Sequence, residues 1–255
     1  MNATAELLYG QRAPVSVPVS ATALDTAAGD TVVIAGAEIL YVLYEMPMSA
    51  SLTSLPVSLH PSIPAVYGMT FIRVKDGALG AFELAYAGIA CRTGIKPRHF
   101  IQSAYTDSGA AATFFGSRYG FDCKLAAVKQ RETYDRARGT IEVDGTLLLD
   151  VAITDCIPLV GAGATIKYSP PLNATRVGGD PALVQFEAAY DFKRVLRGKP
   201  RLDSFDAAAL GDGGVRPTHP IAGSFAICDL HLMPARFQVD LTVPAEAGGA
   251  RKIAR

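Results

Sequence analysis

Short runs of alternating and β-branched residues, separated by glycine-containing turns, dominate this chain and leave little room for helix. The runs are Thr31–Ala35, Glu38–Tyr44, Gly68–Val74, Gly80–Arg92, Phe100–Thr106, Lys124–Tyr134, Thr140–Val143, Thr146–Thr154, Leu183–Phe192 and Arg236–Val243. A period of two sends successive side chains to opposite faces of a strand, so each run reads as a strand. Asp76-Gly77 and Asp144-Gly145 mark the sharpest turns, because Asp-Gly readily supplies the positive φ angles of a two-residue hairpin. Gly139–Thr154 is therefore expected to form one hairpin. Helical signal is confined to Met48–Leu55, which stops before Pro56, and to the Ala-rich Ser108–Arg118, which ends near Gly120. The expected fold class is α+β, mostly antiparallel β. Its strands are expected to form a closed or cone-shaped β-barrel carrying a few short helices, with residues 1–255 as a single domain.

Composition removes several function classes. The 255 residues carry 24 basic and 24 acidic side chains, so no net positive field attracts nucleic acid or an anionic membrane surface. The densest basic group, Lys193 to Arg201, reads as a solvated loop. No apolar run reaches the roughly 18 to 20 residues of a membrane-spanning helix, and Met1 to Gly10 lacks the basic start of a secretory signal. Cys91, Cys123, Cys156 and Cys228 are far apart, with no Cys-x-x-Cys pair and no histidine at metal-ligand spacing. That pattern suits reduced thiols in a cytoplasmic protein and implies no metal site. No Gly-x-Gly-x-x-Gly turn, Walker loop or Gly-x-Ser-x-Gly elbow is present, and no cofactor is implied.

From Gly80 onward the order of segments resembles the acetoacetate decarboxylase family. Gly80-Ala81-Phe82-Glu83 stands where that family has a strand glutamate, and Tyr105-Thr106-Asp107 matches its Tyr-x-Asp strand end. The Ala-rich helix Ala110–Gly116 follows, then Gly120-Phe121-Asp122-Cys123-Lys124-Leu125 where the family has Tyr/Phe-Pro-Lys-Lys-Leu. Pro181-Ala182-Leu183, His219-Pro220-Ile221 and Leu232-Met233-Pro234-Ala235-Arg236 continue the family order. The resemblance implies a barrel that holds a small carbonyl or enol compound, dimers or larger homo-oligomers, and an imine-forming lysine. It also carries departures. The imine-forming position falls on Cys123, leaving only the second lysine as Lys124; the early-strand arginine falls on Ala37; a second glutamate is missing near Met69 or Thr70.

These departures shape the expected site. Glu83 is the first catalytic candidate, since a carboxylate in an apolar barrel titrates high enough to move protons beside a carbonyl; the bland alternative is a solvent-facing glutamate. Cys123 is expected to line the pocket as an inert thiol, with a nucleophilic thiolate as the alternative. If Cys123 faces the cavity, its neighbour Lys124 faces away, unless a bulge or a one-residue slip turns it inward. Asp122 serves as a rim acid or a turn residue. Gln102, Tyr105 and Arg92 are candidate contacts to substrate oxygens, and Tyr119 and Phe121 are either pocket walls or core aromatics. The resulting expectation is a cofactor-independent enzyme of dehydration, isomerisation or cyclisation. The alternatives are a Schiff-base decarboxylase or aldolase using Lys124, and a non-catalytic small-molecule-binding barrel. The tail Ala245 to Arg255 is expected to fray.

Overall fold

The computed structural model describes residues 8–26, 29–161, 166–212 and 214–253. Its strands are β1 (Val32–Glu45), β2 (His60–Pro61), β3 (Val66–Val74), β4 (Phe82–Thr93), β5 (Lys96–Thr106), β6 (Cys123–Leu125), β7 (Ala127–Glu132), β8 (Ala137–Val143), β9 (Thr146–Pro158), β10 (Pro171–Val177), β11 (Asp180–Gln185), β12 (Ala188–Phe205), β13 (Pro220–Leu232), β14 (Phe237–Asp240) and β15 (Ala250–Lys252). The helices are α1 (Met48–Ser54), α2 (Gly109–Tyr119) and α3 (Ala207–Leu210). All strands belong to one sheet, ordered β15-β14-β11-β10-β5-β4-β3-β1-β13-β12-β9-β8-β7, with β2 paired to β4 and β6 to β5. No described helix is long and apolar enough to cross a membrane.

The mostly-β expectation stands, but the ladder of hydrogen bonds is open, ending at β7 and β15. Where a closed barrel would pair its last strand, β7 instead meets β4 through a side chain. The Gln130 backbone N–H on β7 donates to the Glu83 carboxylate on β4. Just before it, the Ala126 N–H donates to the Thr106 carbonyl at 3.0 Å. An edge strand with unpaired N–H groups needs such a cover, and a carboxylate supplies it here.

The central strands are covered on both faces, which explains their near-continuous apolar runs. One face carries Leu40, Val42, Tyr67, Met69, Phe71, Ala85, Ala87 and Tyr105 in the larger core cluster. The other carries Ala37, Ile39, Ile72, Leu84, Tyr86 and Ala104, packed beneath Phe115 and Tyr119 of α2 together with Phe121 and Phe186. The α2 start is capped by Ser108, whose Oγ accepts the Ala111 N–H at 3.3 Å. Gly120 (φ 72°) ends the helix, and a side chain there would also collide with Thr175.

Several boundaries differ from the sequence expectation. Thr31–Ala35 and Glu38–Tyr44 fuse into β1, because a bulge between Ile34 and Ala37 bends the strand without ending it. Leu183–Phe192 splits between β11 and β12. Lys193 to Arg201 is not a loop but part of the 18-residue β12. Four of its five cations are paired with carboxylates: Lys193 with Asp229 at 2.6 Å, Lys199 with Asp155 at 2.8 Å, Arg201 with Asp203 at 2.7 Å and Arg194 with Glu132. Asp144-Gly145 does make the expected two-residue turn, with φ of 49° and 79°. Asp76-Gly77 instead lies in the longer connection 75–81. The tail does not simply fray, since Ala250–Lys252 pairs with β14; residues 254–255 lie outside the described residues.

Candidate active site

Strand β6 decides which side chain reaches solvent-accessible space. It runs parallel to β5, with Cys123 beside Ala104 and Lys124 beside Tyr105. Ala104 belongs to the core beneath α2 and Tyr105 to the larger core, so the two β6 residues inherit opposite faces. Cys123 packs against the α2 side, and burial pushes its thiol up to about 12, with Asp122 adding to the rise. Lys124 is exposed and lines a cleft of ≈ 210 Å³ together with Gln102, Ser103, Asp122 and Asn173. The expected facing of Cys123 and Lys124 is therefore reversed.

A bulge in β5 builds the opposite wall. Ser103 pairs with Ala87 and Ile101 with Gly88, leaving Gln102 as the extra residue. Bulges re-aim side chains, and here Gln102 and Ser103 both line the cleft. Gly88 is what lets the strands approach, since a Cβ there would lie 2.3 Å from the Phe100 carbonyl oxygen. Both polar atoms of the Gln102 amide are buried and lack a hydrogen-bond partner among the described residues. Unpaired buried groups of this kind cost about 1–3 kcal/mol each.

The floor is α3. Asp206 caps it, accepting from the Ala208 and Ala209 N–H groups at 2.9 and 3.1 Å. Hydroxyls from neighbouring strands hold its carbonyls: Tyr105 donates to Ala209 at 2.8 Å, and Ser103 to Leu210 at 3.2 Å, joined there by Tyr67. The Tyr105 hydroxyl is thus committed to the scaffold. Its ring remains beside the amine, with the Lys124 Nζ 5.8 Å from the centroid.

Glu83 lies outside the cleft lining. Register places Glu38, Arg73 and Glu83 in one row across β1, β3 and β4. Arg73 reaches Glu38 at 3.2 Å and Glu83 at 3.5 Å, Lys75 reaches Glu38 at 2.5 Å, and Arg131 on β7 reaches Glu83 at 2.7 Å. Burial raises the Glu83 pKa, against the lowering effect of the Arg131 and Gln130 hydrogen bonds. The direction agrees with the sequence expectation, but the setting is an ion-pair seam and not an apolar pocket.

The remaining candidates separate from the cleft. Arg92 is exposed near the end of β4, paired with Pro97 and His60. Tyr119 at the end of α2 and Phe121 just after it are core aromatics, and the Tyr119 hydroxyl donates to the Met233 carbonyl at 2.6 Å. Sequence reasoning missed Ser103, Asn173 and α3 in the cleft, and Arg73 and Arg131 around Glu83. Ser103 was within reach, since it shares a strand with Gln102. Asn173 was not, because it arrives through the parallel pairing of β10 with β5 across a wide sequence gap.

No protein-family model and no curated protein matches the sequence. Solved structures do match the fold. An acetoacetate decarboxylase from Legionella pneumophila subsp. pneumophila str. Philadelphia 1 superposes with a TM-score of 0.70 at 19% identity, over 81% of this chain and 86% of that one. The enduracididine biosynthesis enzyme MppR with HEPES buffer bound gives 0.67 at 17% identity, over 86% and 91%. An acetoacetate decarboxylase-like enzyme from Sphingomonas wittichii RW1 gives 0.63 at 14% identity, over 80% and 91%. The chain thus shares its fold with these acetoacetate decarboxylase and decarboxylase-like structures.

Proposed function

We propose that this protein is a small-molecule enzyme whose Lys124 amine condenses with the carbonyl of a compact keto acid. The observation that carries this reading is the pairing, in one small cleft, of an amine with no ion-pair partner and a Gln102 amide with no hydrogen-bond partner, both among the described residues. A cleft of ≈ 210 Å³ lies below the usual range for drug-sized ligands and suits a molecule of a few heavy atoms. MppR structures complexed with pyruvate, and with the condensation product of pyruvate and imidazole 4-carboxaldehyde, support a keto acid as the substrate class.

The chemistry follows from the residue types. The neutral amine attacks the carbonyl carbon, the hydroxyl of the adduct takes up a proton from solvent and leaves as water, and a protonated imine forms. That cation draws electrons from the adjacent carbon, which gives an enamine either by losing a proton, as with pyruvate, or, in a β-keto acid, by losing its carboxylate as carbon dioxide. Asp122 takes up and returns the proton, and the Gln102 amide holds a substrate oxygen. The resulting enamine can be reprotonated or can add to an aldehyde.

Acid/base chemistry centred on Glu83 is less well supported, because Gln130, Arg131 and Arg73 already engage its carboxylate. A purely binding barrel is less well supported because the lining includes a lysine, an aspartate and two amides. The test is exchange of the pyruvate methyl protons for deuterium, followed by proton NMR. Exchange is expected with the native protein and with Cys123→Ser, and not with Lys124→Ala. Exchange that persists in Lys124→Ala would overturn the reading.

A further inference from the structure

A second concavity, on the β7–β8 hairpin, has a different character. It measures ≈ 400 Å³ and is lined by Lys129, Arg131, Thr133, Arg136, Arg138 and Thr140, without an acidic residue. Register sets Lys129 opposite Thr140 and Arg131 opposite Arg138. Like charges directly across a ladder repel. Here each guanidinium is neutralised by a carboxylate that is almost covered: Glu83, 11% exposed, under Arg131, and Asp150, 7% exposed, under Arg138. The two arginines themselves stay about half exposed, at 57% and 49%. Their acidic partners hold them from within while both residues line the hollow.

The other two cations are less satisfied. Arg136 reaches Asp203 only at 3.7 Å, and that aspartate already holds Arg201 at 2.7 Å. The Arg136 Nε is buried with no acceptor among the described residues. Lys129 has no ion-pair partner among the described residues. Four converging cations, a buried donor without an acceptor and the Thr140 hydroxyl together ask for a compact group bearing more than one negative charge. Guanidinium forks match phosphate oxygens better than a single ammonium does.

We propose that this hollow binds the phosphate group of a small phosphorylated molecule, at a site separate from the Lys124 cleft. A long polyanion fits less well, because the patch is confined to one hairpin and the chain as a whole carries 24 basic against 24 acidic residues. The inference does not depend on the chemistry proposed for Lys124.

Isothermal titration with inorganic phosphate and with pyrophosphate, at low ionic strength, tests it. The proteins compared are the native chain, Lys129→Ser and Arg136→Gln. Both variants keep the Arg131–Glu83 and Arg138–Asp150 pairs, so thermal melts should match the native one. Saturable binding is expected, tighter for pyrophosphate and weakened by added salt. Each variant should weaken it about tenfold, as loss of one charge-assisted hydrogen bond does. Absence of saturable heat, or an affinity unchanged in both variants, would overturn the proposal. So would an oligonucleotide that binds more tightly than pyrophosphate with an affinity rising with length, which would make the surface a nucleic-acid contact.

Discussion

Lys124 and Tyr105 stand side by side on neighbouring parallel strands, with the amine 5.8 Å from the ring centroid. The ring is fixed from the other end, because its hydroxyl donates to the Ala209 carbonyl at 2.8 Å. One tyrosine thus joins the α3 floor to the residue proposed as nucleophile. Tyr105→Phe keeps the ring and loses the anchor, so chemical denaturation should show a loss of about 1 kcal/mol, the usual net worth of one hydrogen bond. Unchanged stability would mean that the anchor is not formed in solution.

The Glu83 carboxyl gives a pH signature. Its folded pKa is raised above the ordinary 4.5 by burial, so its stabilising contribution is complete below that value and is lost as pH rises through the folded pKa. Glu83→Gln should remove this part of the pH dependence, while its side-chain oxygen still accepts the Gln130 N–H. Glu83→Leu leaves that N–H unpaired and should cost about 1–3 kcal/mol. Thermal melts from pH 4 to 8 would separate the variants; a Glu83→Gln profile parallel to the native one would contradict the assignment.

Asp150 has the opposite sign. Its hydrogen bond with Arg138 holds its pKa below the ordinary 3.8. The stability that it supplies is present above 3.8 and lost as pH falls through the lower folded value. Asp150→Asn should therefore destabilise the protein at pH 7, by about 1.5–3 kcal/mol for a charge-assisted hydrogen bond, and flatten the acid limb of the melt profile. A variant as stable as the native chain at pH 7 would rule this out.

Cys123 should behave as an unreactive thiol. Burial pushes it up to about 12, leaving little thiolate at neutral pH. Iodoacetamide at pH 7.5, followed by peptide mapping, should label Cys123 only on unfolding. Rapid labelling in the native state would place the thiol in a different environment.

The period-two runs mark the strands because most of them bury at least one face, and the Ser108 and Gly120 signals bracket α2 almost to the residue. What alternation does not carry is register across distant strands. The facing of Cys123 and Lys124 depends on the parallel pairing of β6 with β5, which no local pattern encodes. Arg73 lies directly across from Glu83, yet the 75–81 connection is too long for turn chemistry to give that register. Gln102 is visible as a polar residue on a strand, but its cleft-facing position comes from a bulge set by Gly88. Asp150 and Arg138 sit in the hairpin that the Asp144-Gly145 turn does specify, and there the sequence is sufficient to bring the two strands together.

The most direct measurement is borohydride reduction in the presence of pyruvate, read by intact mass and then by peptide mapping. The proposed chemistry requires one reduced adduct, located on Lys124 and absent from Lys124→Ala. A folded, pyruvate-binding protein that yields no adduct, or one whose adduct maps to another lysine, would contradict it.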